Sequence, residues 1–218
     1  MAILFFSLVL LLMLGCNKFN DWQAKQKEKE IKKNNKEWED IYSKKLKKEI
    51  NSEKKNNDTF LIFKFGDSNS EVLKKFKQLE KEGKVKVDEN KSLYYEFVFD
   101  EYEFKNAVAY FNMQFSEGKL YKLTLIVESQ KPRNTYTILL FHDLSDLYRK
   151  KYGDPDYYNT DALKNYEIRW IDGNQEIKIV QRINDVVVTY IDKTIEIKLE
   201  TENQNKLENE IKSTVDDI

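Results

Sequence analysis

Few side chains in this 218-residue chain could do covalent or acid–base chemistry. There is one cysteine, Cys16, and one histidine, His142. His142 stands beside Asp143, and an imidazole next to a carboxylate could serve as a general base. The apolar positions around it are Tyr136, Leu139, Leu140, Leu144, Leu147, Tyr148 and Tyr152. They form a helical stripe that skips 142, so His142 is expected to face solvent. One histidine and one cysteine cannot build a zinc site of the usual composition. Asp154, Asp156 and Asp161 are oxygen ligands of the kind calcium takes. Their spacing matches no known loop, and a polar connection is the plainer reading. Glu101 and Glu103 flank Tyr102 and read as a solvated face. No Ser-His-Asp order, phosphate-cradling glycine loop or EF-hand spacing occurs. The residues therefore predict no enzyme, no cofactor and no metal.

Cys16 has a different chemistry. Residues 1–14 read MAILFFSLVLLLML and carry no charged side chain. That run is shorter than the roughly 20 apolar residues that span a bilayer, and it suits the apolar region of a secretory signal. It ends in Met13-Leu14-Gly15-Cys16, followed by polar Asn17-Lys18. A small residue and then cysteine resembles the lipobox of bacterial lipoproteins. The resemblance implies diacylglycerol on the Cys16 thiol, cleavage before it, and acylation of the new amino terminus. At about 0.8 kcal/mol per buried methylene, two or three chains anchor stably. The bland alternative makes residues 1–15 a buried helix and Cys16 an ordinary thiol. As the sole cysteine, Cys16 leaves no internal disulfide possible. An upstream start would add the basic residues with which signals ordinarily open.

Lys and Arg number 37 and Asp and Glu 38, a near-zero balance that argues against nucleic-acid binding. The 13 Tyr, 13 Phe and 3 Trp supply enough apolar area for a core.

The elements that would position these groups follow from periodicity. Residues 16–58 are rich in Lys, Glu and Asn and read as a charged, partly helical tether. Trp22, Ile31, Trp38, Ile41, Tyr42, Leu46 and Ile50 recur at helical spacing. Either this segment is a solvated charged helix or a partly disordered tether, or it docks on the domain or on a partner through Trp38, Tyr42 and Leu46. Forty helical residues would reach about 60 Å. Phe60–Phe65 reads as a strand. Ser68 and Glu71 form a capping box for a helix carrying Val72, Phe76 and Leu79, which Gly83 ends. Leu93–Asp100, Ala107–Phe115 and Leu120–Glu128 read as an antiparallel meander. Asn134 or Thr135 can cap a second helix, stopped by Gly153 and Pro155. Tyr166–Ile171, Glu176–Arg182 and Val186–Ile191 read as a second meander, with residues 195–199 as an added strand edge. Residues 201–218 read as a polar tail.

Tyrosines are the remaining chemical signal. Alternation puts Ala107, Ala109, Phe111, Met113 and Phe115 toward the helices, with Val108, Tyr110, Asn112 and Gln114 facing away. On the next strand Tyr121, Leu123, Leu125 and Val127 share one face, and Leu120, Lys122, Thr124 and Ile126 the other. Tyrosine is favoured at interface anchors, which makes Tyr94, Tyr110, Tyr121, Tyr157 and Tyr158 candidate partner-binding residues. Solvent-washed sheet tyrosines are the ordinary alternative.

A strand, then Gly66-Asp67-Ser68-Asn69-Ser70-Glu71-Val72 opening a helix, then a meander, is similar to outer-membrane lipoproteins of the BamE type. Two such units resemble the beta-lactamase inhibitor protein fold, whose Tyr-Gly-x-Pro signature stands here as Tyr152-Gly153-Asp154-Pro155. The resemblance spans roughly residues 60–192 and implies protein binding through a sheet surface, without chemistry. The expected organisation is α+β. A signal peptide occupies 1–15 and the charged helical tether 16–58. Two tandem helix-plus-three-strand units (about 60–128 and 134–192, within a 59–200 domain) form an antiparallel sheet with helices on one face. The expected function is a lipid-anchored envelope protein, outer membrane favoured, that binds a protein partner. The alternative is a small molecule or envelope polysaccharide in an aromatic groove between the halves.

Overall fold

The computed structural model describes the backbone at residues 2–99, 106–129, 134–160 and 166–216, and side chains at 25–99, 106–129, 137–160 and 166–208. The side chains of Cys16, Trp22, Asn134, Thr135 and Tyr136, and all of Asp100, Glu101, Tyr102, Glu103 and Asp161, lie outside the described residues. The elements in chain order are α1 (Ala2–Ile50), α2 (Asn69–Lys81), β1 (Val85–Val87), β2 (Leu93–Val98), β3 (Asn106–Ser116), β4 (Lys119–Ser129), α3 (Asn134–Tyr152), β5 (Tyr157–Thr160), β6 (Tyr166–Asp172), β7 (Gln175–Gln181), β8 (Val186–Asp192) and α4 (Lys193–Asp216).

The expectation of two helix-plus-three-strand units is corrected by the strand pairing. Four strands follow α2 and four follow α3, and all eight form one antiparallel sheet in the order β1-β2-β3-β4-β8-β7-β6-β5. The seam is the β4–β8 ladder, from Lys122 opposite Ile191 to Val127 opposite Val186. The additional strands, β1 and β5, are only three and four residues long, too short for a legible alternation.

Helices also occupy both faces, not one. α2 and α3 cover the inner face, where Leu79, Ala109, Leu123, Leu125, Leu144, Ile168, Ile179 and Val188 are wholly excluded from solvent. At the centre the Tyr148 and Tyr190 hydroxyls pair at 2.6 Å, which gives each phenol a hydrogen-bond partner inside an apolar core. The Ser68–Glu71 capping box forms as its spacing predicts. Gly153, at φ +79, ends α3, and its carbonyl accepts from Trp170 Nε1 at 2.9 Å.

Three local expectations change. Phe60–Phe65 is not a strand but a tight loop. A strand would send Phe60 to the opposite side from Phe63 and Phe65. Instead Leu61 takes φ +57 and Phe63 N–H donates to the Phe60 carbonyl. The bend lets Phe63 and Phe65 bury while Phe60 packs on Tyr95, Phe97 and Phe111. Residues 195–199 lie in α4, not a strand edge. Asp192 Oδ1 caps that helix by accepting from the backbone N–H groups of Thr194 (3.0 Å) and Ile195 (3.4 Å). Along α3, Leu139 and Leu147 are 40% and 45% exposed while Thr137, Phe141 and Ser145 turn inward. The helix is rotated by Phe141, which stacks on Tyr166 at 5.5 Å. Ser145 can be buried there because its hydroxyl donates to the Phe141 carbonyl at 2.5 Å.

The charged segment is a docked part of the fold. α1 crosses the outer face of β5 and β6, burying Tyr42 against Tyr157 and Ile171, with Trp38 and Leu46 beside them. Ile31, Asn35, Trp38, Tyr42 and Leu46 are the enclosed positions of the stripe, whereas Ile41 is 48% exposed. The Arg169 guanidinium lies 4.9 Å from the Tyr42 ring centre and 4.5 Å from that of Tyr157. Asn35 Nδ2 donates to the Thr160 carbonyl at 2.9 Å, and Lys45 pairs with Asp156 at 2.6 Å. Tyr42 donates to Glu176. The segment after α1 then clasps the β6–β7 turn. Gly173 stands at φ +61, where a Cβ would meet the Lys54 carbonyl oxygen at 2.5 Å, so that position excludes any side chain.

Tyr42→Ala is expected to lower unfolding free energy by about 3 kcal/mol and to open α1 to protease. Urea denaturation and limited proteolysis check this; an unchanged midpoint with a resistant α1 would contradict the docking.

Candidate functional site

The outer face can be read row by row, because residues directly opposite in antiparallel strands point to the same side. One row runs Tyr94, Tyr110, Ile126, Val187, Val180, Glu167, Asn159 across seven strands. Its first five members are aromatic or branched, and each is only partly enclosed. The next row, Asn112, Thr124, Thr189, Lys178, Arg169, Tyr157, is mostly polar. The outer face therefore carries an apolar band with a polar border. α1 lies over β5 and β6, at the far side of the sheet from β2 and β3, and leaves the Tyr94–Tyr110 end of the band open.

The five candidate tyrosines separate accordingly. Tyr94 and Tyr110 are register partners with rings 6.2 Å apart. Burial, then Asp88 and Glu128, raise the Tyr110 phenol, which keeps it a neutral hydrogen-bonding group near pH 7. Tyr121 does not share a face with Leu123 as alternation predicts. A β-bulge shifts the register between Gln114 and Phe115, so that Gln114 faces Lys122 and Phe115 faces Leu120. Leu120 is thereby turned into the core, and the Tyr121 hydroxyl donates to Gln114 Oε1 at 2.9 Å on the outer face. Tyr157 is not presented to a partner. It is 4% exposed under α1, and burial, with Glu39 adding, pushes its phenol up to about 12. Tyr158 packs on the inner core beside Tyr166. Strand periodicity finds Tyr94 and Tyr110. Ile126, Val187 and Val180 join them only through pairings between distant strands.

Two sizeable cavities each lie within one half, not between the halves, whose seam is a continuous ladder. An apolar groove of about 740 Å3 runs beside α2, lined by Leu73, Phe76, Leu93, Phe111 and Met113 among others. A second cavity of about 550 Å3 sits where β6 begins and β7 turns into β8, with Asn159, Tyr166, Glu167, Gln181, Arg182 and Asp185 in its wall.

The acid–base and metal candidates are placed as follows. His142 is exposed and its ring rests 5.8 Å from Phe141. Asp156 brackets the fold, accepting from Lys45 and from the Ile171 N–H at 2.9 Å. Among the described residues no group of three or more His, Cys, Asp or Glu side chains could hold a metal ion. Cys16 falls on the α1 backbone, and its side chain lies outside the described residues. No described helix is long and apolar enough to cross a membrane.

Asp143 is 6% exposed and its Oδ2 has no hydrogen-bond partner. Burial pushes it up to about 6, Asp146 adds to the rise and His142 opposes it. A carboxyl whose folded pKa exceeds its unfolded value weakens the fold as pH climbs from about 4 to about 6, and the loss is complete above that window. Asp143→Asn is therefore expected to stabilise the protein by about 2 kcal/mol at pH 7.5 and by almost nothing at pH 4. Chemical denaturation at both values checks the difference; an equal effect at the two would contradict it.

No curated protein and no solved structure matches the chain, so the similarity to BamE-type and beta-lactamase-inhibitor folds gains no support from solved structures. One domain family does match, as the TP0088 domain, over residues 58–202. The match begins just after α1, takes in all eight strands and ends inside α4. The chain belongs to the TP0088 domain family.

Proposed function

We propose that this protein is a lipid-anchored, non-enzymatic module of the cell envelope that binds a protein partner through the outer face of its sheet. The observation that carries the reading is the apolar band Tyr94–Tyr110–Ile126–Val187–Val180 on the open side of a face that α1 covers elsewhere. Aromatic anchors in an apolar centre with a polar rim are what a protein interface requires. Asn112 and Thr124 supply that rim on one side and Glu96, Val108 and Glu128 border the other. An open, hydrogen-bonded sheet face offers area and rigidity but no enclosure, which suits a macromolecule better than a small ligand.

The anchor in this reading is Cys16, acylated after cleavage of residues 1–15, on an outer membrane by preference. The first described side-chain tie from α1 to the sheet is at Asn35. Nineteen helical steps lead from Cys16 to that point, a reach of about 28 Å at 1.5 Å each. The rest of α1 is fixed to the domain, so a docked helix sets the domain closer to the lipid than a free forty-residue spacer.

Tyr110→Asp and Ile126→Asp are each expected to abolish capture of an envelope protein that the wild type retains after cross-linking, with the circular dichroism spectrum unchanged. Retention of the same partner by both folded variants would refute the binding face. Cys16→Ala is expected to end palmitate labelling and release the chain from the membrane fraction. A membrane fraction that does not change would argue against lipid attachment.

A further inference from the structure

The apolar groove of about 740 Å3 beside α2 is in the size range of small-molecule sites. It arises because β3 outruns its neighbour. The pairing with β2 stops at Tyr94 opposite Tyr110, while β3 runs on to Ser116. The inward row Phe111, Met113 and Phe115 therefore continues past the β1–β2 hairpin, and α2 adds Val72, Leu73 and Phe76 to the same groove. Leu73 is 61% exposed, and Phe76, Leu93, Phe111, Met113 and Phe115 are only partly buried. Apolar surface gathered in one concave place marks a binding site.

The row from Phe111 to Phe115 is about 13 Å long, and α2 from Asn69 to Phe76 about 10 Å. A groove built from one strand row and one helix face suits an extended alkyl chain, to which the flexible Met113 can adapt. Among the described residues its wall holds one charged side chain, Lys91. The carboxylates of the neighbouring elements are already engaged. Asp67 pairs with Lys75 at 2.6 Å, Glu71 closes the Ser68 cap and Glu96 pairs with Lys86. Asp88 accepts from the N–H groups of Asn90 at 2.9 Å and Ser92 at 2.7 Å. Glu89 stands in the same turn but outside the groove wall. No ion pair among the described residues includes Lys91. A free cation at an apolar channel attracts an amphiphile with an anionic head and repels one with an ammonium head. The Ser92 hydroxyl and the Asn69 amide, in the same wall, can also donate to a carboxylate.

We infer that this groove binds a fatty acid, with the alkyl chain along Leu73, Phe76, Phe111, Met113 and Phe115 and the carboxylate paired with Lys91. The inference rests on the groove wall alone, so it holds or fails independently of partner binding on the outer face.

The test uses the full chain in phosphatidylcholine nanodiscs, whose lipid carries no net charge. A dodecanoic acid bearing a diazirine is added, irradiated, and its attachment sites are mapped by mass spectrometry; the matching diazirine dodecylamine is the charged counterpart. The expected result is labelling concentrated at residues 69–76 and 111–115, displaced by excess dodecanoate and not by dodecylamine. Lys91→Glu is expected to lower labelling by the acid about tenfold, the effect of losing one charged hydrogen bond, and to raise labelling by the amine. This substitution keeps a side chain of similar build at φ +65, so the turn is preserved. Leu73→Asp, at an exposed helical position, is expected to lower labelling by about the same factor, since it sets a charge in the alkyl channel. Circular dichroism checks the folding of both variants, and if one fails to fold the other decides. The inference is overturned if the label falls mainly outside the groove or is not displaced by dodecanoate, if the wild type takes the amine as readily as the acid, or if a folded variant is labelled as the wild type is.

Discussion

The β4–β8 ladder governs this architecture, because it makes one sheet out of two helix-led segments of chain. On its inner side Leu123, Leu125 and Val127 meet Val186, Val188 and Tyr190, and these six are almost wholly excluded from water. A slip of one residue by either strand would turn that strand's three toward solvent. The cost of that slip fixes the alignment and, with it, the outer face. Ile126 opposite Val187 is the link that joins the tyrosines of β2 and β3 to Val180 on β7 in one band. The seam is thus what gives the outer surface a pattern larger than either half could build.

A second constraint is the short edge strand β5. Four residues cannot shield an outer-face core by themselves, and α1 supplies the missing cover. The cover is amphipathic in an economical way. One narrow stripe of Trp38, Tyr42 and Leu46 makes the apolar contact, while Asn35, Lys45 and Glu49 reach down to a carbonyl, a carboxylate and a backbone N–H. The Arg169 side chain fills the gap between two aromatic rings and keeps its charge paired with Glu167. The described part of α1 is therefore joined mechanically to the sheet.

Several groups that looked chemical in the sequence are held in structural duties. Asp156 ties α1 and β6 together, and the Tyr-Gly-x-Pro segment stops a helix while its glycine carbonyl receives Trp170. Tyr157 closes the α1 contact. Among the described residues the unsatisfied buried side-chain atoms are at Asn159, Gln181 and Asp143. One of these had a readable signal. Ile177, Ile179 and Gln181 continue a single period-2 alternation, so the amide occupies an inward slot that an apolar residue would ordinarily take. Asn159 had no such signal, because its strand is too short to display a period.

The sequence by itself determined the local events whose causes are local. The Ser68–Glu71 cap, the stop at Gly153, the meander strands and the helical stripe of α1 depend on neighbours within one or two turns of chain, and each is legible for that reason. Single apolar alternations also assigned the inner face of β3. Tertiary structure decided whatever rests on contacts between distant residues. It bent Phe60–Phe65 into a loop so that three rings could share one core, and it placed a bulge that moved Leu120 inward and Tyr121 outward. It rotated α3 onto Phe141 and chose docking over a free spacer for α1. It also brought the two segments into one eight-stranded sheet. The physical reason is common to all of these. Side-chain period and capping are properties of a short stretch of backbone, whereas register, face and burial are set by the partner strand or helix, which can be more than a hundred residues away.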